Sequence, residues 1–279
     1  MNSAKAFAPA NISCIFKIFH HKNPRWMGSY GVGFTLNKGV IADASIASRN
    51  EVIFNNRLIN FPTVMSLIKK LTNKKIRIDI KSNLPLGCGF GLSGASALAS
   101  SYAINKLLRL KKSNKELAII SHIAEVENKT GLGDVVNQFY GGFCMKLKPS
   151  SYFSVKKLPM HDIDVYCRYF SKISTKSVIA NSKLRKAINT AADNSLKNIE
   201  SIIRDKNKRV QFKDIIKISK EFAVKSALLH DIKTISAIKN IAKNNGNASM
   251  IMLGNAVFSD KHFAAAMKLK ISNKGAHLL

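Results

Sequence analysis

The stretch most suited to chemistry in this 279-residue chain is residues 85–94, Pro-Leu-Gly-Cys-Gly-Phe-Gly-Leu-Ser-Gly. Glycines at 87, 89 and 91 allow positive φ angles and let a ligand approach the backbone with no Cβ in the way. A strand is predicted just before this stretch and a helix just after it. The amides of the loop and first helical turn then lack intrahelical partners, and with the helix dipole they make a site for anionic phosphates. Ser93 adds a hard oxygen where a phosphate-bound Mg²⁺ needs one. Pro85, Gly87, Gly89, Gly91, Ser93 and Gly94 are therefore the candidate phosphate-binding set. The glycine spacing matches neither a P-loop, which needs Lys-Ser/Thr after its last glycine, nor the dinucleotide G-x-G-x-x-G.

Acidic residues number only 16, so their placement is informative. Glu125 and Glu127 close a predicted helix, and Asp134 follows the turn Gly131-Leu-Gly133. Phosphoryl transfer needs a carboxylate for the metal and a group that positions or deprotonates the attacking hydroxyl. A carboxylate on a glycine turn beside a phosphate loop suits the second task. Glu127 reads as a surface residue.

These residues need elements to hold them. Short apolar runs at 12–19, 30–36, 51–54 and 76–80 read as strands, the last clearest because Ile76, Ile78 and Ile80 alternate with Arg77 and Asp79. Helical spacing predicts helices over 93–110 and from Ser113, with Glu116 completing a capping box, to about 128. Gly141-Gly142 opens a strand over 143–147. Beyond Pro149-Ser-Ser151 the pattern turns to longer helices, 183–204 and 213–244 with a break near His230-Asp231, then a late strand over 249–253. Strands with segregated helices give an α+β fold. The expected domains are 1–150, carrying the phosphate loop, and 151–279, more helical.

Composition limits the alternatives. An apolar content of 46% is too high for a disordered chain, and no apolar run reaches the length of a membrane span. No secretory signal is read at the N-terminus, and four scattered cysteines suggest neither zinc nor a disulfide framework, so a cytoplasmic location is expected. The formal charge of +29 raises nucleic-acid binding as an alternative. Only nine of the 45 basic residues are arginine and they form no concentrated arm, which disfavours it.

The loop Pro85–Ser93 resembles the P-x-G-x-G-x-G-S-S loop of the GHMP kinases, with Leu92 departing from its first serine and Ser93 matching the second. Ala124-Glu125, the Gly-Asp turn and Gly141-Gly142 resemble the next segment of that family. The resemblance implies a two-lobed fold with a ribosomal-protein-like β-α-β core, ATP as donor, Mg²⁺ on Ser93 and Glu125, and Asp134 as base. Segments 8–16, 28–34, 89–94, 130–135 and 250–255 are similar to the archaeal branch that phosphorylates (R)-pantoate on its primary hydroxyl for coenzyme A synthesis. This implies Ser29, His122 and Lys146 for the substrate's carboxylate and hydroxyls, with Arg25 and Arg49 as weaker alternatives. Homoserine, shikimate or a mevalonate-like acid are the competing substrates, and a homodimer is left open. The family's early catalytic lysine has no counterpart in Pro9-Ala-Asn11, and its late glycine motif is reduced to Leu253-Gly254-Asn255.

Overall fold

The computed structural model describes residues 2–205 and 210–279. The chain begins with β1 (Ser3–Phe19) and β2 (Gly28–Ile46), a long antiparallel pair registered from Ser3 opposite Ser45 to Phe19 opposite Gly28. The sequence predicts only parts of these strands. Ala4, Ala6, Ala8 and Ala10 do alternate inward, but alanine is a weak strand former, so the first half of β1 carries little signal. The ladder slips between Pro9 and Asn11 and again between Ser13 and Ile15. Such irregularities re-aim side chains, and here they flank Asn11 and Ser13.

Next come β3 (Glu51–Phe54), β4 (Arg57–Leu58), α1 (Pro62–Leu71), β5 (Ile76–Lys81), α2 (Leu92–Leu108), α3 (Asn114–Glu127), α4 (Asp134–Tyr140), β6 (Phe143–Lys146) and β7 (Lys156–Leu158). The first sheet runs β12-β1-β2-β5-β3-β4, with β12 (His277–Leu278) contributed by the C-terminus. β3 pairs parallel to β5; β6 pairs with the first half of β2 and with β7. The predicted alternation of β5 is present, with Ile76, Ile78 and Ile80 fully buried. α2 lies across β1 and β2. Its alanines and serines are small enough to bury it on most sides.

The second sheet, β11-β8-β10-β9, is antiparallel. It joins β8 (Asp164–Lys172), β9 (Ala248–Met250), β10 (Gly254–Ser259) and β11 (Met267–Lys270), with α5 (Thr175–Ala180), α6 (Ser182–Arg204), α7 (Phe212–Lys225) and α8 (Ile232–Lys243) in the intervening chain. The expected late strand over 249–253 stops at Met250, and Gly254 opens the next strand instead of closing that one. The break near residue 231 falls between α7 and α8, where Asp231 caps Thr234. We propose the division near residue 150 as a description of the two sheets, with β7 and β12 returning to the first. Phe34, Phe143, Phe212 and Phe258 stack between the sheets at centroid distances of 5.2–6.4 Å and seal the junction.

Candidate active site

The glycine loop takes the predicted conformation. Gly87, Gly89 and Gly91 have φ of 84°, 85° and 63°, values at which a side chain is strained. Gly91 is the N-cap of α2 and no side chain caps it, so the first-turn amides face outward as donors. Two contacts fix the loop from below: the Asn11 backbone N–H donates to the Phe90 carbonyl at 3.0 Å, and Gln138 Nε2 donates to the Gly91 carbonyl at 2.8 Å. From the second sheet, the turn before β10 packs so tightly that a Cβ on Gly89 would lie 2.8 Å from Ile251 Cγ2.

The loop opens onto a cavity of about 400 Å³, ample for a small ligand. Gly87, Gly89, Gly91, Ser93, Ser29 and Asp134 line it, together with the turn 130–133 and residues 173–176 of the second sheet's connection. Pro85 and Gly94 lie at the loop's two ends outside this lining.

Asp134 begins α4 and is aimed at the head of α2: a Cβ on Gly91 would come within 3.1 Å of its Cγ. Asn11 Nδ2 donates to its Oδ1 at 2.6 Å and Ser13 Oγ at 3.3 Å. Asn137 Nδ2 donates to Asn11 Oδ1 at 3.0 Å and holds the amide in that orientation. Burial pushes the Asp134 carboxyl above the ordinary carboxylate range, opposed by the Lys146 charge and the two donors.

Glu125 is fully buried behind Gly94 and Gly131, whose Cβ positions would lie 2.7 and 2.6 Å from its Oε2. Neither carboxylate oxygen has a hydrogen-bond partner. The Ser93 and Thr130 hydroxyls lie close enough to favour its charged form, but their bonds run elsewhere: Ser93 donates to Thr63 Oγ1 at 3.2 Å, Thr63 and Thr130 share a bond of 2.8 Å, and Thr130 Oγ1 is 3.4 Å from Glu125's own carbonyl. Burial and the Asp134 charge raise the Glu125 carboxyl well above its usual value, opposed by the Ser93 hydroxyl, the Lys146 charge and the Thr130 hydroxyl. A buried carboxylate with both oxygens unsatisfied is costly unless protonated or given a cation. The donor set, a hard carboxylate beside a serine hydroxyl, fits Mg²⁺.

The expected substrate residues are placed unevenly. Ser29 lines the cavity, its Oγ 3.4 Å from the Leu132 carbonyl. Lys146 stands behind the wall, donating to the Gly133 carbonyl at 2.9 Å. A Cβ on Gly133 would meet Lys146 Nζ at 2.5 Å. Burial lowers the Lys146 pKa, against the pull of Asp134, Cys144 and Glu125. His122 is buried deeper, with Nε2 2.9 Å from the Met27 carbonyl. A carbonyl only accepts, so Nε2 carries the proton and Nδ1 is left unpartnered. Burial brings its pKa down to about 4, so the ring is neutral. Arg25 stacks over Trp26 and Arg49 pairs with Glu51, both exposed.

Sequence reasoning did not single out Asn11, Ser13, Thr63, Thr130, Asn137 or Gln138 for these roles. The bonds that tie them to the loop, to Asp134 and to one another across the site mostly span tens of residues, so no local spacing marks them.

Residues 59–142, spanning α1 to α4, match the family model described as GHMP kinases N terminal domain. A pantoate kinase of Methanocaldococcus jannaschii is 33% identical over 258 residues, covering 90% of both chains. The chain belongs to the GHMP kinase family. A pantoate kinase of Methanospirillum hungatei is 29% identical, covering 98% of this GHMP kinase and 96% of its own length. Among solved structures, a phosphotransferase related to the coenzyme A biosynthesis pathway superposes with a TM-score of 0.85 at 24% identity, over 99% of this chain and 98% of that one. A mevalonate diphosphate decarboxylase from Enterococcus faecalis shares the fold at a TM-score of 0.74 and 15% identity, with the same coverage.

Proposed function

We propose that this GHMP kinase transfers the γ-phosphoryl group of ATP to the primary hydroxyl of (R)-pantoate, giving 4-phosphopantoate. The observation that carries the transfer chemistry is the approach of Asp134 to Gly91, which sets a half-buried carboxylate on the cavity wall against the head of the phosphate-binding helix. The choice of pantoate is supported by the near full-length match to two proteins named pantoate kinase.

The loop amides from Gly87 to Gly94 receive the polyphosphate and stabilise charge that develops during transfer. Ser93 and Glu125 would hold Mg²⁺, which supplies charge neutralisation of the phosphate oxygens when bound. Asn11 and Ser13 keep Asp134 oriented toward the acceptor hydroxyl, and its raised pKa makes it a better proton acceptor than an exposed aspartate. Ser29 presents a hydroxyl from the cavity wall. Lys146 places its cation behind Gly133 to attract the acceptor's carboxylate, and the neutral His122 braces the Met27 segment just before Ser29.

A coupled ADP-release assay across pantoate, homoserine, shikimate and mevalonate tests the assignment. Pantoate is expected to give the highest kcat/KM. Preference for another acceptor would overturn the substrate, and absence of ADP release with all four would overturn the transfer reading.

A further inference from the structure

The backbone amides of the glycine loop carry only partial charges, and Lys146 lies behind the wall on the acceptor side, bonded to the Gly133 carbonyl. A polyphosphate seated there still needs full cations. Besides Lys129 in the cavity lining, two lysines stand on the second sheet's side: Lys172 at the end of β8, over the loop, and Lys176 in the first turn of α5. Where β8 ends, Ile173 donates its amide to the Gly87 carbonyl at 3.4 Å, stitching the two segments together. A Cβ on Gly87 would lie 3.2 Å from Lys172 Cδ, so the lysine stem runs over the loop's first glycine. The Lys172 charge is also felt by the Cys88 thiol inside the loop. Four residues further on, Lys176 stands on the cavity wall beside Ser174 and Thr175. Both lysines are exposed, and neither has a carboxylate in ion-pair range among the described residues.

We propose that Lys172 and Lys176 are phosphate-binding cations of the nucleotide site, contacting the polyphosphate directly from the second sheet's side. The inference rests on the phosphate-loop reading above. It makes the nucleotide site a joint product of the two sheets: the first supplies amides, and the segment after β8 supplies charge. A lysine serves here as a point charge on a flexible stem, able to follow a phosphoryl group that changes position during transfer.

The test measures binding of Mg-ATP, Mg-ADP and AMP by calorimetry, with steady-state kinetics, on the wild type, Lys172→Met, Lys176→Met, the double variant and Lys186→Met. Lys186 lies on α6 in a separate groove and controls for loss of one positive charge. Each loop lysine is expected to cost about tenfold or more in ATP affinity, the size of one hydrogen bond to a charged group. ADP should be affected less, AMP least, and Lys→Arg at either position should recover most of the loss. The proposal is overturned if the wild type binds ATP and the double variant binds it equally well, or if Lys186→Met loses as much as the loop variants. A wild type that binds none of the three nucleotides would overturn the phosphate-loop reading itself, a distinct result. All these lysines are exposed, so unchanged melting temperatures are expected and make the comparisons direct.

Discussion

Asp134 combines three properties that suit the proton-accepting role proposed for it: partial burial, fixed orientation and a position against the glycine loop. Replacing it by Asn keeps the shape and still lets Asn11 donate to the side-chain oxygen, but removes the basic lone pair. Turnover is then expected to fall by more than about 100-fold with ATP binding largely retained; unchanged kcat would remove Asp134 from the chemistry. The same residue sets a pH dependence. Its pKa is raised, so the active, deprotonated form is lost at a higher pH than for a free aspartate, and the acid limb of kcat/KM should lie above the ordinary 3.8. Lys146 opposes that rise, so Lys146→Met should move the limb further to alkaline pH. No movement, or movement to acid, would show that another group governs it. His122 makes a separate prediction about stability. Its folded pKa of about 4 lies below the ordinary 6.5. The unfolded chain therefore takes up a proton that the folded one refuses, and stability is lost as pH falls through the window from 6.5 toward 4. The loss is on the order of 3 kcal/mol at its limit. His122→Gln, which keeps a donor for the Met27 carbonyl, should melt with a flatter pH dependence across that window. Parallel melting curves for the two proteins would contradict the buried neutral ring.

At the scale of elements, the site depends on turns that tolerate no added atoms. Gly89→Ala would combine a strained φ with a Cβ driven into Ile251 and the Met252 carbonyl. It is expected to raise the KM for ATP more than it changes the KM for the acceptor. Gly133→Ala would strike Lys146 Nζ and Ser29 Oγ and should show the reverse split. If both variants changed the same constant, the cavity would not be divided as described. How much of this was legible in the sequence follows the physics of each element. The glycine loop, the Ser113 capping box on α3 and the α6 helix announce themselves through local chemistry and local period. α1 has Val64, Leu67, Ile68 and Leu71 at helical spacing, but it starts from Phe61 without a side-chain cap and lacks a start signal beyond Pro62. α4 is seven residues long and also uncapped, so its sequence reads as a turn. The support of Asp134 was invisible for another reason. Asn11 and Ser13 sit 123 and 121 residues away from it, on a strand with irregular register, and only the folded sheet brings them to α4.

For the whole molecule, two features act together: a junction that fixes the two sheets and a strongly positive field around it. The junction is apolar and continuous. Phe34, Phe143, Phe212 and Phe258 interlock there, while Ser219 of α7 donates to the Cys14 carbonyl of β1 at 2.9 Å and shares a bond with Ser249 of β9. These contacts are buried and so are screened far less than the exposed Lys17–Asp193 ion pair that also links β1 to α6. The field is open to screening. With 45 basic and 16 acidic residues, the surface repels itself and attracts anions. ATP and a hydroxy acid are both anionic, so added salt has two opposite consequences. Screening weakens capture of both substrates, and kcat/KM should fall by about tenfold or more between roughly 10 mM and 500 mM KCl, with kcat changing far less. Screening also relieves repulsion within the folded chain, so the melting temperature should rise over the same range. The opposition in sign separates this account from simple salt inhibition. If kcat/KM and melting temperature fell together, salt would be damaging the fold; if neither moved, the excess of lysine would have no part in substrate capture.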